Sequence, residues 1–121
     1  MTHSHNKAVY EVYRTGMMTK ITDKRLLAYL ERRRKRRSES NAQTVEIAVA
    51  KMFDIVIPDN RKYICRGKRK WRETQYGSGY CVKISYPPLI EALWNLREKD
   101  GIPVSFSVEK ALRLLMDKEA A

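Results

Sequence analysis

The chain has 121 residues and carries 25 Lys plus Arg against 14 Asp plus Glu, a formal net charge of +11 at pH 7, so a polyanion is the expected partner, nucleic acid ahead of an anionic membrane surface. This length gives one domain, residues 1–121, with a core of moderate size, and excludes two independent globules. No apolar stretch nears the roughly 20 residues that span a bilayer, and Cys65 and Cys81 are too few for a disulfide framework and match no zinc spacing, so both are read as reduced thiols of a cytosolic protein.

Residues 1–7 form a polar arm with no apolar segment behind it of the kind a secretory signal needs. His3 and His5 lack a third ligand, so no metal site is expected there. The stretch Ala8-Val9-Tyr10-Glu11-Val12-Tyr13 packs either as a strand or as the opening turns of a helix; its periodicity fits both.

A strand of roughly five residues is expected within residues 15–22, where β-branched side chains follow Gly16. Asp23 stands in the N-cap position of a helix over residues 24–37, with Leu26, Leu27 and Leu30 as its apolar stripe and Tyr29 beside them. Arg32, Arg33, Arg34, Lys35, Arg36 and Arg37 close that helix. Six cations complement the carboxyl end of the macrodipole and repel one another, so an anionic group is expected within reach; a solvated face and a run read by a nuclear carrier are the competing readings. Ser40-Asn41-Ala42-Gln43 fits a capping box, and a second helix follows whose core face is Val45, Ala48, Val49, Met52 and Phe53, ending before Pro58.

Residues 58–79 form a linker of different character: Arg61 and Lys62, then Arg66, Lys68, Arg69, Lys70 and Arg72, interleaved with Tyr63, Trp71 and Tyr76. Cations neutralise phosphates while aromatics stack or wedge, so this is a candidate loop for contact with nucleic acid; an exposed crossover with Trp71 packed on the core is the plainer alternative. Then Tyr80-Cys81-Val82-Lys83-Ile84-Ser85-Tyr86 alternates as a strand, and Pro87-Pro88 stops it while presetting a helical turn. Leu89, Ile90, Leu93, Trp94 and Leu96 mark the buried side of a helix running to about Asp100, with Gly101 as its left-handed cap. A last helix begins near Ser105 and buries Val108, Ala111, Leu112, Leu115 and Met116.

The two halves repeat. A shift of 63 positions lays Lys20-Ile21 on Lys83-Ile84, Leu26 on Leu89, Leu30 on Leu93, Arg34 on Arg97, Val45-Glu46 on Val108-Glu109 and Ala48 on Ala111, without a gap. One such unit cannot bury its own apolar face, so the two are expected to pack against each other as a built-in dimer.

Strand, helix, Gly turn and second helix in this order resemble the ribbon-helix-helix family, most specifically over residues 81–116 and in register over residues 18–53. The resemblance implies a mainly α fold with a short antiparallel β-ribbon, a tandem, single-chain, pseudo-two-fold ribbon-helix-helix made of residues 15–57 and 80–121. In that family the ribbon enters the DNA major groove, which has room for two strands. Single-chain versions occur among accessory proteins of conjugative plasmid and T-DNA transfer. Length, basicity and linker are most similar to the virulence class on Ti plasmids that binds an enhancer beside the T-DNA border and assists relaxosome assembly near the nicking site. A cytoplasmic bacterial protein follows, with double-stranded DNA as partner, a relaxase or other transfer-complex protein as a second partner, no membrane, no cofactor, and a monomer acting as an internal pseudo-dimer. A transcriptional repressor of the same fold and a basic protein-interaction adaptor are the other readings.

Side chains alternate across a strand, and desolvating a lysine without a partner is expensive. Ile21 and Ile84 are therefore placed inside, which turns Lys20, Thr22, Lys83 and Ser85 toward the bases, with Met18 and Cys81 on the same face. Phosphate contacts are expected from the amino ends of the second helices, at Asn41, Ala42 and Ser105, and from Arg66, Lys68, Arg69, Lys70 and Arg72. Pro103 stands where the first copy has Ser40, so the two half-sites are expected to differ. No catalytic arrangement is expected: there is no Gly-rich phosphate loop, no Cys or Ser with a His partner, and Asp54, Asp59 and Glu73 are better placed for salt pairing beside a basic loop than for a nuclease.

Overall fold

Five-residue strands need only alternation and a partner, and both are present. The structure, a computed structural model, describes residues 16–59 and 79–120, which form β1 (Met17–Ile21), α1 (Lys24–Arg37), α2 (Asn41–Phe53), β2 (Tyr80–Ile84), α3 (Pro87–Asp100) and α4 (Val104–Ala120). Residues 1–15, with His3, His5 and the 8–13 stretch, and residues 60–78 of the linker, with Cys65, Trp71 and Glu73, lie outside the described residues. The fold is mainly helical with one two-stranded antiparallel sheet.

In β1 the buried side chains are Met17, Thr19 and Ile21, with Met18 and Lys20 exposed; in β2 Val82 and Ile84 are buried, with Cys81 and Lys83 exposed. The isoleucine face is the inner one. Pairing runs Met17 to Ile84, Met18 to Lys83, Thr19 to Val82, Lys20 to Cys81 and Ile21 to Tyr80. The 63-residue shift carries the first of these pairs onto the last, so the register maps onto itself about Thr19 and Val82.

Helix boundaries follow local chemistry. The Asp23 carboxylate accepts from Arg25 N at 2.9 Å and opens α1. Ser40 Oγ accepts from Gln43 N at 3.1 Å and opens α2. Only this half of the expected capping box forms, because the Gln43 side chain makes no return bond to Ser40 N. Pro87 and Pro88 preset the first turn of α3, whose cap residue, Tyr86, makes no side-chain capping bond to it. Gly101, at φ 68°, ends α3 in the left-handed region that costs glycine nothing; Ser38 does the same for α1 at φ 56° and bears the steric cost. α4 starts at Val104, one residue before the expected start, because the Pro103 carbonyl already accepts from Ser107 N at 3.2 Å.

The core is shared between the halves. α2 packs on β2, α4 packs on β1, and α2 and α4 pack on each other. Ile21, Leu26, Leu30, Val45 and Val49 from one half meet Ile84, Leu89, Ile90, Leu93, Val108 and Leu112 from the other in one cluster. Each second helix thus covers the strand of the opposite half, and neither half retains a covered strand without its counterpart.

Candidate nucleic-acid interface

The outward face of the ribbon carries Met18, Lys20 and Cys81, Lys83, continued past the strand ends by Thr22 and Ser85. Lys20, Thr22 and Lys83 are exposed, Ser85 is half-buried, and Met18 is 59% exposed. Lys20 faces Cys81 and Lys83 faces Met18, so the two lysines sit on a diagonal, about 7–8 Å apart in an antiparallel lattice. None of these six residues is acidic and two are lysines.

Glycines make room for both lysine stems. A Cβ at Gly16 would lie 1.9 Å from Lys83 Cε, and one at Gly79 would lie 2.5 Å from Lys20 Cε. Each lysine therefore lies across the backbone that leads into the opposite strand. Gly16 and Gly79 are themselves related by the 63-residue shift.

Two glutamates fix the ribbon ends, each from the opposite half. Glu109 on α4 accepts from Thr22 N at 2.9 Å, from Asp23 N at 3.3 Å and from Thr22 Oγ1 at 3.4 Å, all on Oε2. Glu46 on α2 accepts on Oε2 from Ser85 N at 2.9 Å and from Ser85 Oγ at 3.5 Å. Glu46 is fully buried. The shared Val-Glu of the repeat thus has a physical reason: amides freed where strand turns into helix need an acceptor, and the carboxylate supplies one with a charge-assisted bond. On the Glu109 side Arg113 adds bonds to Glu109 at 3.3 Å and to Asp23 at 3.1 Å. Burial alone pushes the Asp23 carboxyl up, but the Arg25 amide and the Arg113 guanidinium outweigh it and hold the group below its ordinary value.

Because these carboxylates occupy the amino ends of α1 and α3, the amino ends of α2 and α4 are the better places for a phosphate. Asn41 and Ala42 are half-buried in the first turn of α2, and Asn41 Oδ1 is buried without a partner. Ser105 is exposed in the first turn of α4, behind Pro103. The linker cations expected to meet phosphate, Arg66, Lys68, Arg69, Lys70 and Arg72, lie outside the described residues.

The basic run needs a correction. Arg33 is 6% exposed, not a surface cation. Its Nε bonds Glu39 at 2.9 Å, and its Nη1 bonds Glu119 and, at 3.0 Å, the Tyr29 hydroxyl, which itself donates to Glu119. Arg37 lies 3.8 Å from Glu119 and Lys35 3.8 Å from Glu31. Part of the anionic charge expected near the run is thus internal, and the network fastens the end of α4 to α1. Burial pushes the Glu119 carboxyl up, yet the Tyr29 hydroxyl and the Arg33 and Arg37 charges outweigh it and hold the group low. For Arg33 burial works against the cation, but the Glu39 and Tyr29 bonds raise it further. The 63-residue shift puts Ala92 and Leu96 at the places of Tyr29 and Arg33, so only one half has this lock.

Sequence reasoning missed Glu46, Glu109, Gly16 and Gly79, although all four stand at the repeat spacing. Among the described residues no three His, Cys, Asp or Glu side chains are grouped to hold a metal ion, and no helix is long and apolar enough to cross a membrane. No family model, curated protein or solved structure matches the chain.

Proposed function

We propose that the chain is a single-chain, tandem ribbon-helix-helix protein that binds double-stranded DNA by laying the outward ribbon face in the major groove. The observation that carries this reading is the diagonal pair of exposed lysines, Lys20 and Lys83, on a two-stranded ribbon free of acidic side chains. An antiparallel ribbon fits the width of that groove, and ammonium groups meet guanine O6 and N7 or phosphates there. Support comes from the self-mapping register and the crossed glutamates, both of which fit two copies of one unit closed on each other. Asn41, Ala42 and Ser105, at the second-helix amino ends, and the linker cations supply phosphate contacts that set orientation and affinity, while the ribbon sets sequence preference.

Within this reading the chain acts as an accessory protein in plasmid or T-DNA transfer, helping a relaxase assemble near its nicking site, and has no catalytic role of its own. Basicity, the long cationic linker and the resemblance to single-chain transfer proteins support that role. A repressor would use the same surface; a relaxase gene and transfer origin beside the coding sequence favour transfer, and binding at the protein's own promoter favours repression. Salt titration of binding to duplex DNA tests the proposal: neutralising about six phosphates gives a log-log slope near −5. A slope near zero, or binding to acidic proteins in preference to DNA, supports an adaptor instead.

A further inference from the structure

The contacts at the ribbon ends bear on which way a hydroxyl points. A threonine hydroxyl has one proton to donate and two lone pairs that accept. The acceptor beside Thr22 Oγ1 is the Glu109 carboxylate, at 3.4 Å, and the same oxygen accepts from Thr22 N and Asp23 N. At that length the contact is weaker than a normal O–H···O bond, but a carboxylate still orients the hydroxyl dipole, drawing the proton toward α4. The lone pairs then face outward, and Thr22 is exposed. Ser85 Oγ stands in the same relation to Glu46 Oε2, at 3.5 Å.

We propose that Glu109 is a positioning residue that makes Thr22 an acceptor-only reader of the major groove, so that Thr22 recognises an exocyclic amino group, adenine N6 or cytosine N4, and not a guanine acceptor or a phosphate. The inference rests on the ribbon lying in the major groove. The groove's donors are those two amino groups alone. A phosphate oxygen has no proton to give such a hydroxyl, and the carboxylate behind it repels the phosphate charge. Lys20, two residues earlier on the same face, is the opposite: three donors and no acceptor. Each ribbon arm thus presents a donor followed by an acceptor, and a half-site pairs an acceptor-rich guanine with a neighbouring amino group. Neither lysine nor threonine gives this by type, because an unoriented hydroxyl reads donors and acceptors equally.

The test uses the whole chain and a duplex selected by it from a random library. Thr22→Val first maps the base pair that Thr22 reads, as the pair where preference is lost. At that pair, adenine is replaced by purine, or cytosine by its 4-deamino analogue, to delete the amino group; a 7-deaza purine deletes the acceptor instead. Deleting the amino group is expected to weaken wild-type binding about 5-fold or more, to leave Thr22→Val binding unchanged, and the 7-deaza change to be silent. In Glu109→Ala the carboxylate that draws the hydroxyl proton inward is gone, so the hydroxyl is free to donate outward and sensitivity to the acceptor appears beside that to the amino group. A wild-type protein that loses affinity with the 7-deaza base and not with the amino deletion overturns the inference, as does a Glu109→Ala protein, folded by its melting curve, with the wild-type pattern. If Glu109→Ala does not fold, the comparison of wild type with Thr22→Val decides alone. Failure of the wild type to select or bind any duplex overturns the DNA-binding reading itself and is distinguishable from both.

Discussion

Gly16 and Lys83 touch across the ribbon: a Cβ on Gly16 would stand 1.9 Å from Lys83 Cε and 3.0 Å from its Cγ and Cδ. The lysine stem lies on glycine backbone because no side chain is there to lift it. Among the described residues Gly101 alone is a glycine with positive φ, so alanine at Gly16 meets the stem and not a forbidden backbone angle. Gly16→Ala is expected to displace the Lys83 ammonium and weaken duplex binding several-fold, with the melting temperature nearly unchanged. Binding isotherms beside thermal melts check it.

Lys83→Ala removes the same charge directly. Affinity is expected to fall, with the slope of log K against log salt reduced by about 1 if the ammonium meets a phosphate, or with relaxed preference at one base pair if it meets a base. Lys83 is exposed on the outer face, so the melting temperature stays where it was. Unfolding of this variant contradicts the assignment of faces.

Core truncations separate folding from binding. Leu93 and Leu112 are fully buried where the two halves meet, and replacing either by alanine is expected to cost about 2–5 kcal/mol through the lost transfer energy and the cavity left behind. Chemical denaturation measures it. A cost below about 1 kcal/mol contradicts the shared core.

Acid should unlock the end of α4. Glu119 and Asp23 both titrate below their ordinary values of 4.5 and 3.8 in the folded chain. Groups shifted down stabilise the fold fully above their ordinary values and lose that contribution as pH falls through the folded ones. Stability measured from pH 6 downward is therefore expected to begin falling near pH 4.5, and Glu119→Gln to lose part of that dependence. Since Glu119 bonds Arg33, the variant also leaves a buried guanidinium short of a partner and is less stable at neutral pH.

Much of the fold is legible in the sequence because local rules settle it. Asp23, Ser40 and Gly101 mark helix ends, Pro87 and Pro88 start a helix, and the alternation around Ile21 and Ile84 decides the ribbon face. What escaped is non-local. Glu46 reads as an ordinary helix carboxylate until Ser85, 39 positions away, supplies its amide, and Glu109 until Thr22, 87 positions away, does the same. Arg33 sits within a run of cations, and only Glu119, 86 positions on, shows why this one turns inward. Gly16 stands ahead of a strand and Gly79 closes the linker in the sequence, and the clearance they give a lysine exists only once the strands pair.

Whether the ribbon face bearing Lys20 and Lys83 occupies the major groove is read by guanine N7 methylation interference. N7 lies in that groove alone. Methylated guanines are expected to block binding within one short segment, with the interference weakened in Lys20→Ala and Lys83→Ala. Duplex binding that ignores N7 methylation and is instead abolished by a minor-groove ligand contradicts it.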